Sequence, residues 1–153
     1  MPPVQNQDYH DILAALVARE ARFLIVGAHA LAAHGYPRAT VDIDIWIERT
    51  AENARRVWQA LAEFGAPLED LEVREVDLTR PDVVAQFGVP PHRIDILTGV
   101  SGLTFGEAWD NRVEGDLEGV LVALLGRREL IRNKLATGRE KDRVDVRGLE
   151  GKT

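Results

Sequence analysis

Val41-Asp42-Ile43-Asp44-Ile45-Trp46-Ile47 alternates residue by residue between apolar and other side chains. On an extended chain of period two, Val41, Ile43, Ile45 and Ile47 share one face and Asp42, Asp44 and Trp46 share the other. The heptapeptide therefore predicts a strand with one face turned to a core and two carboxylates on the opposite face. At about 3.3 Å per residue the two carboxylates stand ~7 Å apart along the strand, so their side chains can converge on one divalent cation. A solvent-facing acidic strand gives the same pattern, and the pair alone does not choose between the two.

Upstream, Phe23-Leu24-Ile25-Val26 is an apolar run too short for a buried helix and reads as a buried strand that Gly27 ends. Residues 28–34 are Ala-rich and helix-prone, and Gly35-Tyr36-Pro37 stops them. Residues 8–19 place Ile12, Leu13, Leu16 and Val17 at helical spacing behind Asp8 as N-cap. Downstream, Thr50 caps a helix over 51–64 whose stripe is Ala54, Val57, Trp58, Leu61 and Phe64, with Gly65 and Pro67 as the stop. Residues 68–78 are charged with weak periodicity and read equally as helix or loop. Runs at 83–87 and 93–97 form a hairpin around Gly88-Val89-Pro90-Pro91, and 113–117 with 120–124 form another turning at Glu118-Gly119. Short helices are expected at 105–111, 127–136 and 139–149, the last two separated by Thr137-Gly138. No repeat or linker interrupts this order. The expectation is a single α/β (α+β mixed) domain over 1–153, a mixed twisted sheet flanked by helices.

Asp95 sharpens the reading, because it sits between Ile94 and Ile96 in a core-like strand where an unpaired carboxylate would cost several kcal/mol. A cation must compensate it, either a divalent ion or an ion-pair partner such as Arg93 or Arg74. If its strand lies beside the 41–47 strand, Asp42, Asp44 and Asp95 converge and can hold one or two Mg²⁺ or Mn²⁺ ions, the geometry of phosphoryl and nucleotidyl transfer.

Composition bounds the partners. The 153 residues are 45% hydrophobic and 29% charged, which is globular, and carry a net charge of −6. A general blanket of positive charge for nucleic acid is thereby excluded, while a local basic patch is not. Zero cysteines exclude a disulfide framework, thiolate catalysis and Cys-based metal sites. The N-terminus lacks a signal-peptide pattern and no run approaches the ~20 apolar residues of a membrane span, so a soluble cytoplasmic protein without a membrane partner is expected.

Val26-Gly27-Ala28-His29-Ala30-Leu31-Ala32-Ala33-His34-Gly35, followed by Arg38-Ala39-Thr40-Val41-Asp42-Ile43-Asp44, resembles the opening motif of the DNA polymerase β-like nucleotidyltransferase superfamily. There a Gly-Gly or Gly-Ser turn precedes a short helix and an apolar-Asp-apolar-Asp strand. The resemblance implies that Asp42, Asp44 and Asp95 are the catalytic, metal-binding carboxylates and that Gly27 and Ala28 shape the loop holding a nucleoside triphosphate (NTP), ATP among the choices. Ala28 stands where many members carry Ser, so one hydroxyl contact to phosphate is missing. Within the superfamily the chain looks most like the small bacterial group that includes the abortive-infection type toxin nucleotidyltransferases. Arg38-x-Thr40-x-Asp42, Asn133-Lys134-Leu135 and Gly138-Arg139-x-Lys141-Asp142-x-x-Asp145 carry that comparison.

The resemblance further implies that Lys134 is the helical lysine contacting the triphosphate, that Asp142 is the late acidic residue of the toxin group, and that Arg38 steadies phosphates. From the residues alone, 139–143 reads equally as a solvated helix face stitched by i,i+4 charge pairs, and a loop arginine as merely exposed. His29 and His34, five apart, do not share a helix face and read as packing or polar neighbours, with no zinc site. Trp46 either stacks a base or is covered by a helix, and Trp58 and Trp109 read as core. The function so implied is transfer of a nucleoside monophosphate from an NTP to a hydroxyl of RNA, tRNA, a protein or a small molecule, with release of pyrophosphate, in a toxin-antitoxin setting. Arg38, Arg127, Arg128, Arg132 and Lys134 clustered about the aspartates would mark an RNA groove. The alternative, favoured by Ala28, is a catalytically weak or inactive nucleotide- and metal-binding module that acts as partner or regulator of another protein.

Overall fold

The buried run Phe23–Val26 (β1) lies near the middle of a six-stranded mixed sheet, as its apolar character on both faces requires. The computed structural model describes residues 4–36 and 42–151. The other strands are Asp42–Ile47 (β2), Val84–Phe87 (β3), Arg93–Leu97 (β4), Val113–Leu117 (β5) and Val120–Leu124 (β6), in the order β3-β4-β2-β1-β6-β5. β1 runs antiparallel to β2 and parallel to β6, β2 runs parallel to β4, and the hairpins β3/β4 and β5/β6 form the two edges. This is the mixed sheet expected. The turn at Glu118-Gly119 has both residues at positive φ, as a two-residue hairpin demands.

Helices Gln7–Ala18 (α1) and Ala51–Phe64 (α3) cover one face of the sheet. Ile12, Leu13, Leu16, Val57 and Leu61 meet Ile43, Ile45 and Ile47 there, all nearly or fully buried. The other face packs Leu24, Val26 and Trp46 against Gly27–Ala33 (α2), Phe105–Asp110 (α4), Arg127–Thr137 (α5) and Glu140–Leu149 (α6). α3 has the bounds that its stripe predicts, with the Thr50 side chain accepting from the Asn53 backbone and Gly65 closing it in the left-handed region. α1 is capped by Asn6 rather than Asp8: the Asn6 side chain accepts from the Tyr9 backbone, which moves the cap two residues upstream. Residues 65–83 form turns and one 3₁₀ turn at Glu75–Thr79, the sparse apolar periodicity giving a longer helix no face to bury. Among the described residues no helix is long and apolar enough to cross a membrane.

Trp46 is 1% exposed and meets Phe105 of α4 edge to face at 5.2 Å, so it is covered by a helix and not offered to a base. Trp58 is half-buried against the core of α1 and α3. Trp109 is also half-buried: it stacks on Phe105 and carries the Arg112 guanidinium 4.1 Å from its ring centre.

Asn53 joins α3 to the sheet. Its Oδ1 accepts from the Arg22 backbone N–H at 2.7 Å, and its Nδ2 donates to the backbone oxygens of Arg22 and Glu48 at 2.9 and 2.8 Å. Removing the amide strands partners that water reaches poorly. Asn53→Ala should lower unfolding free energy by about 1–3 kcal/mol with an unchanged urea m-value, and a loss below about 0.5 kcal/mol would mean these bonds are replaced by solvent.

Candidate active site

β2 and β4 run side by side in a register that pairs Asp42 with Arg93, Asp44 with Asp95 and Trp46 with Leu97. Because side chains alternate, all six lie on the same face, which changes from ionic at one end to apolar at the other. The antiparallel register with β1 sets Val26 opposite Asp44, so the turn after β1 begins beside the carboxylates. Carboxylate oxygens of Asp42, Asp44 and Asp95 lie within 4.8 Å of one another. The three predicted acidic residues thus meet at one spot.

Gly27 has φ +69°, and a Cβ there would collide with Asp44 Oδ2. Both the conformation and the space demand glycine. Gly27 and Ala28 line an open cleft of about 690 Å³ together with Asp42, Asp44, Arg93, Lys134, Arg139 and Lys141. Arg38 lies outside the described residues. Lys134 is 8% exposed; its Nζ stands 3.2 Å from Asp142 Oδ1 and 3.4 Å from Asp145 Oδ2. Asp142 is fully buried, which overturns the solvated-face reading at that residue. Burial alone would raise its carboxyl, but hydrogen bonds from Thr137, Arg139 and Lys134 outweigh it and hold the group at about 2.

Of the basic residues expected to mark an RNA groove, Lys134 lines the cleft, Arg132 pairs with Glu107 at 3.2 Å, and Arg127 and Arg128 are exposed and not among the lining residues. The two histidines are polar neighbours as read: His34 contacts the Leu125 carbonyl at 2.8 Å, and His29 packs edge to face on Tyr9. Sequence reasoning missed Tyr9, whose hydroxyl donates to the Arg93 backbone oxygen at 3.0 Å and is pushed up to about 12 by burial and by the negative charge of Asp42, Asp44 and Asp95. It sits on an ordinary helical stripe, and nothing local marks its tip as lying behind the site. Arg93 entered only as a pairing partner for Asp95. Its Nη2 is 2.5 Å from Asp42 Oδ2 and its Nε 3.5 Å from Asp95 Oδ1.

The electrostatics follow from crowding. Asp44 is raised to about 7 by burial, then by the charges of Asp42 and Asp95 and a hydrogen bond shared with Asp95, with Lys134 opposing. Asp95 Oδ1 is buried and accepts no hydrogen bond. An all-carboxylate donor set with a buried, unbonded oxygen fits a hard divalent cation such as Mg²⁺ or Mn²⁺.

No family model and no curated protein sequence matches the chain. Among solved structures, TM1012 of Thermotoga maritima, described as a proposed nucleotidyltransferase, aligns over 95% of this chain and 91% of its own with a TM-score of 0.63 at 14% identity. At that identity the likeness concerns the fold, and the fold of this chain is nucleotidyltransferase-like.

Two outcomes are expected. An ordinary aspartate titrates near 3.9, so a folded value near 7 means that the folded state holds the Asp44 proton more tightly; that contribution to stability is complete below about pH 4 and is lost as pH rises through 7. Thermal unfolding in EDTA should therefore fall more steeply between pH 5 and 7.5 for the unmodified chain than for Asp44→Asn, and the gain from added Mg²⁺ should grow over the same window. Equal slopes in the two proteins would remove Asp44 as the source of the pH dependence. Gly27→Ala should destabilise by more than about 1 kcal/mol and abolish the Mg²⁺-dependent gain, since the new methyl drives Asp44 aside.

Proposed function

We propose that this chain is a metal-dependent nucleotidyltransferase that moves a nucleoside monophosphate from an NTP to an acceptor hydroxyl and releases pyrophosphate. The observation that carries the reading is the meeting of Asp42, Asp44 and Asp95, from two parallel strands, beside a cleft that Asp42 and Asp44 line together with Gly27, Lys134 and Arg139. Mg²⁺ or Mn²⁺ held by the three carboxylates would neutralise charge on the α-phosphate and lower the pKa of the attacking hydroxyl.

The remaining work falls to the chain. Backbone N–H groups of the Gly27–Ala28 turn approach the phosphates closely because no side chain intervenes. Lys134, with Arg139 and Lys141 at the rim, offers cationic partners to the β- and γ-phosphates. The acceptor oxygen forms a bond to the α-phosphorus in line with the bridging oxygen to the β-phosphorus, that second bond breaks, and pyrophosphate leaves. The hydroxyl proton passes to a carboxylate oxygen of the cluster and from there to solvent. No covalent enzyme intermediate is required; catalysis is positioning and charge neutralisation.

The motif resemblance supports the abortive-infection type group, and with it a toxin-antitoxin context and an RNA, tRNA or protein acceptor in the cytoplasm. One observation favours the second reading, a nucleotide-binding module without turnover that regulates a partner protein: Ala28 lines the cleft where a serine hydroxyl would face phosphate.

Purified chain incubated with each α-labelled NTP, Mg²⁺ and cellular RNA or protein should transfer label to one acceptor class, with a loss of at least about 10²-fold in Asp42→Asn/Asp44→Asn. NTP binding without transfer would replace the enzyme reading by the module; neither binding nor transfer would remove both.

A further inference from the structure

The triad is three negative charges gathered on one sheet face, and the structure supplies a protein cation against it. Lys134 is bound to two buried carboxylates of its own, Asp142 and Asp145. Arg93, in contrast, reaches into the triad: Nη2 lies against Asp42 Oδ2 at 2.5 Å and Nε is 3.5 Å from the buried, unbonded Asp95 Oδ1. Arg93 stands opposite Asp42 in the β2/β4 register, and its backbone oxygen is tied down by Tyr9, so the side chain starts from a fixed point. Nε is buried without a hydrogen bond, yet the side chain as a whole is 31% exposed and lines the cleft. The guanidinium therefore holds Asp42 without being locked in place.

We infer that Arg93 is a resident counter-cation of the triad, one that yields Asp42 to the divalent ion and turns its guanidinium onto the phosphate oxygens of the incoming triphosphate. This rests on the metal-dependent reading above and goes beyond it by giving Arg93 two successive partners. A guanidinium and a divalent cation crowded onto the same carboxylate oxygen repel each other, so an ion that takes Asp42 Oδ2 must push the guanidinium off it. Ion alone must therefore displace Arg93 at a cost, whereas ion with triphosphate gives the displaced guanidinium a new bidentate anion. Binding of the two is thereby coupled, and the coupling resides in Arg93.

The test uses Mn²⁺ as the probe ion, read by its electron paramagnetic resonance signal, and inorganic tripolyphosphate as the phosphate probe, in the full chain. Arg93→Gln should bind Mn²⁺ alone about tenfold more tightly than the unmodified chain and bind Mn²⁺ with tripolyphosphate about tenfold more weakly. Arg93→Lys keeps the charge but loses the fork that spans Asp42 and Asp95; it should shift both affinities in the same two directions by smaller amounts, and it serves if the Gln variant does not fold. Opposite signs are the signature, since a merely structural loss would weaken both. Mn²⁺ affinity unchanged or weaker in both variants overturns the displacement, and unchanged tripolyphosphate affinity overturns the second partnership. If the unmodified chain, Arg93→Gln and Asp42→Asn/Asp44→Asn bind Mn²⁺ equally, the metal reading itself falls and this inference with it.

Discussion

The parallel pairing of β2 with β4 is the constraint on which the site depends. A shift of one residue would turn Asp95 to the α1/α3 side, into the isoleucine layer, and expose Ile94 to the cleft. The register is held from both faces: Ile43, Ile45, Ile94 and Ile96 are buried on one, and Trp46 with Leu97 forms the apolar end of the other. Hydrophobic packing thus maintains an electrostatically unfavourable arrangement, and burial together with the repulsion appears as the raised Asp44 carboxyl. The core is what makes the crowding tolerable.

The second arm of the site is a helical hairpin. α5 and α6 are separated by Gly138 in the left-handed region, which lets Asp142 and Asp145 turn back onto Lys134. Two carboxylates against one ammonium fix where that ammonium sits, and Arg139 bonds the outer oxygen of Asp142 from the solvent side. The backing is close: Gly148 of α6 lies under the Tyr36 ring, where any Cβ would collide. The lysine is accordingly placed by buried charge and tight packing together, and its reach into the cleft is set by the hairpin more than by its own length.

Much of this was legible in the chain because it was written in short-range patterns. The four-residue apolar run of β1, the alternation of β2, the cap and stripe of α3 and the hairpin turn at Glu118-Gly119 each declare themselves within about ten residues. Asp95 was conspicuous as a carboxylate in an apolar strand. What stayed hidden is what depends on register and docking: that Arg93 faces Asp42 across two strands, that the tip of Tyr9 reaches behind the site, and that Asp142 is buried although its neighbours are all charged. The mixed composition of 139–143 describes a helix whose exposed and docked sides look alike in sequence, since the docked side is ionic too. Trp109 packs against the core as its helical stripe suggests, and what the sequence hides is that Phe105 and arginines also cover its ring.

Gly27 joins two tasks that a larger site would separate. The missing side chain opens the backbone toward the cleft and, in the same atom's absence, leaves room for Asp44. The Gly27 turn and the carboxylate side of the cleft are therefore not independent modules but a single steric unit, and a side chain at position 27 disturbs both.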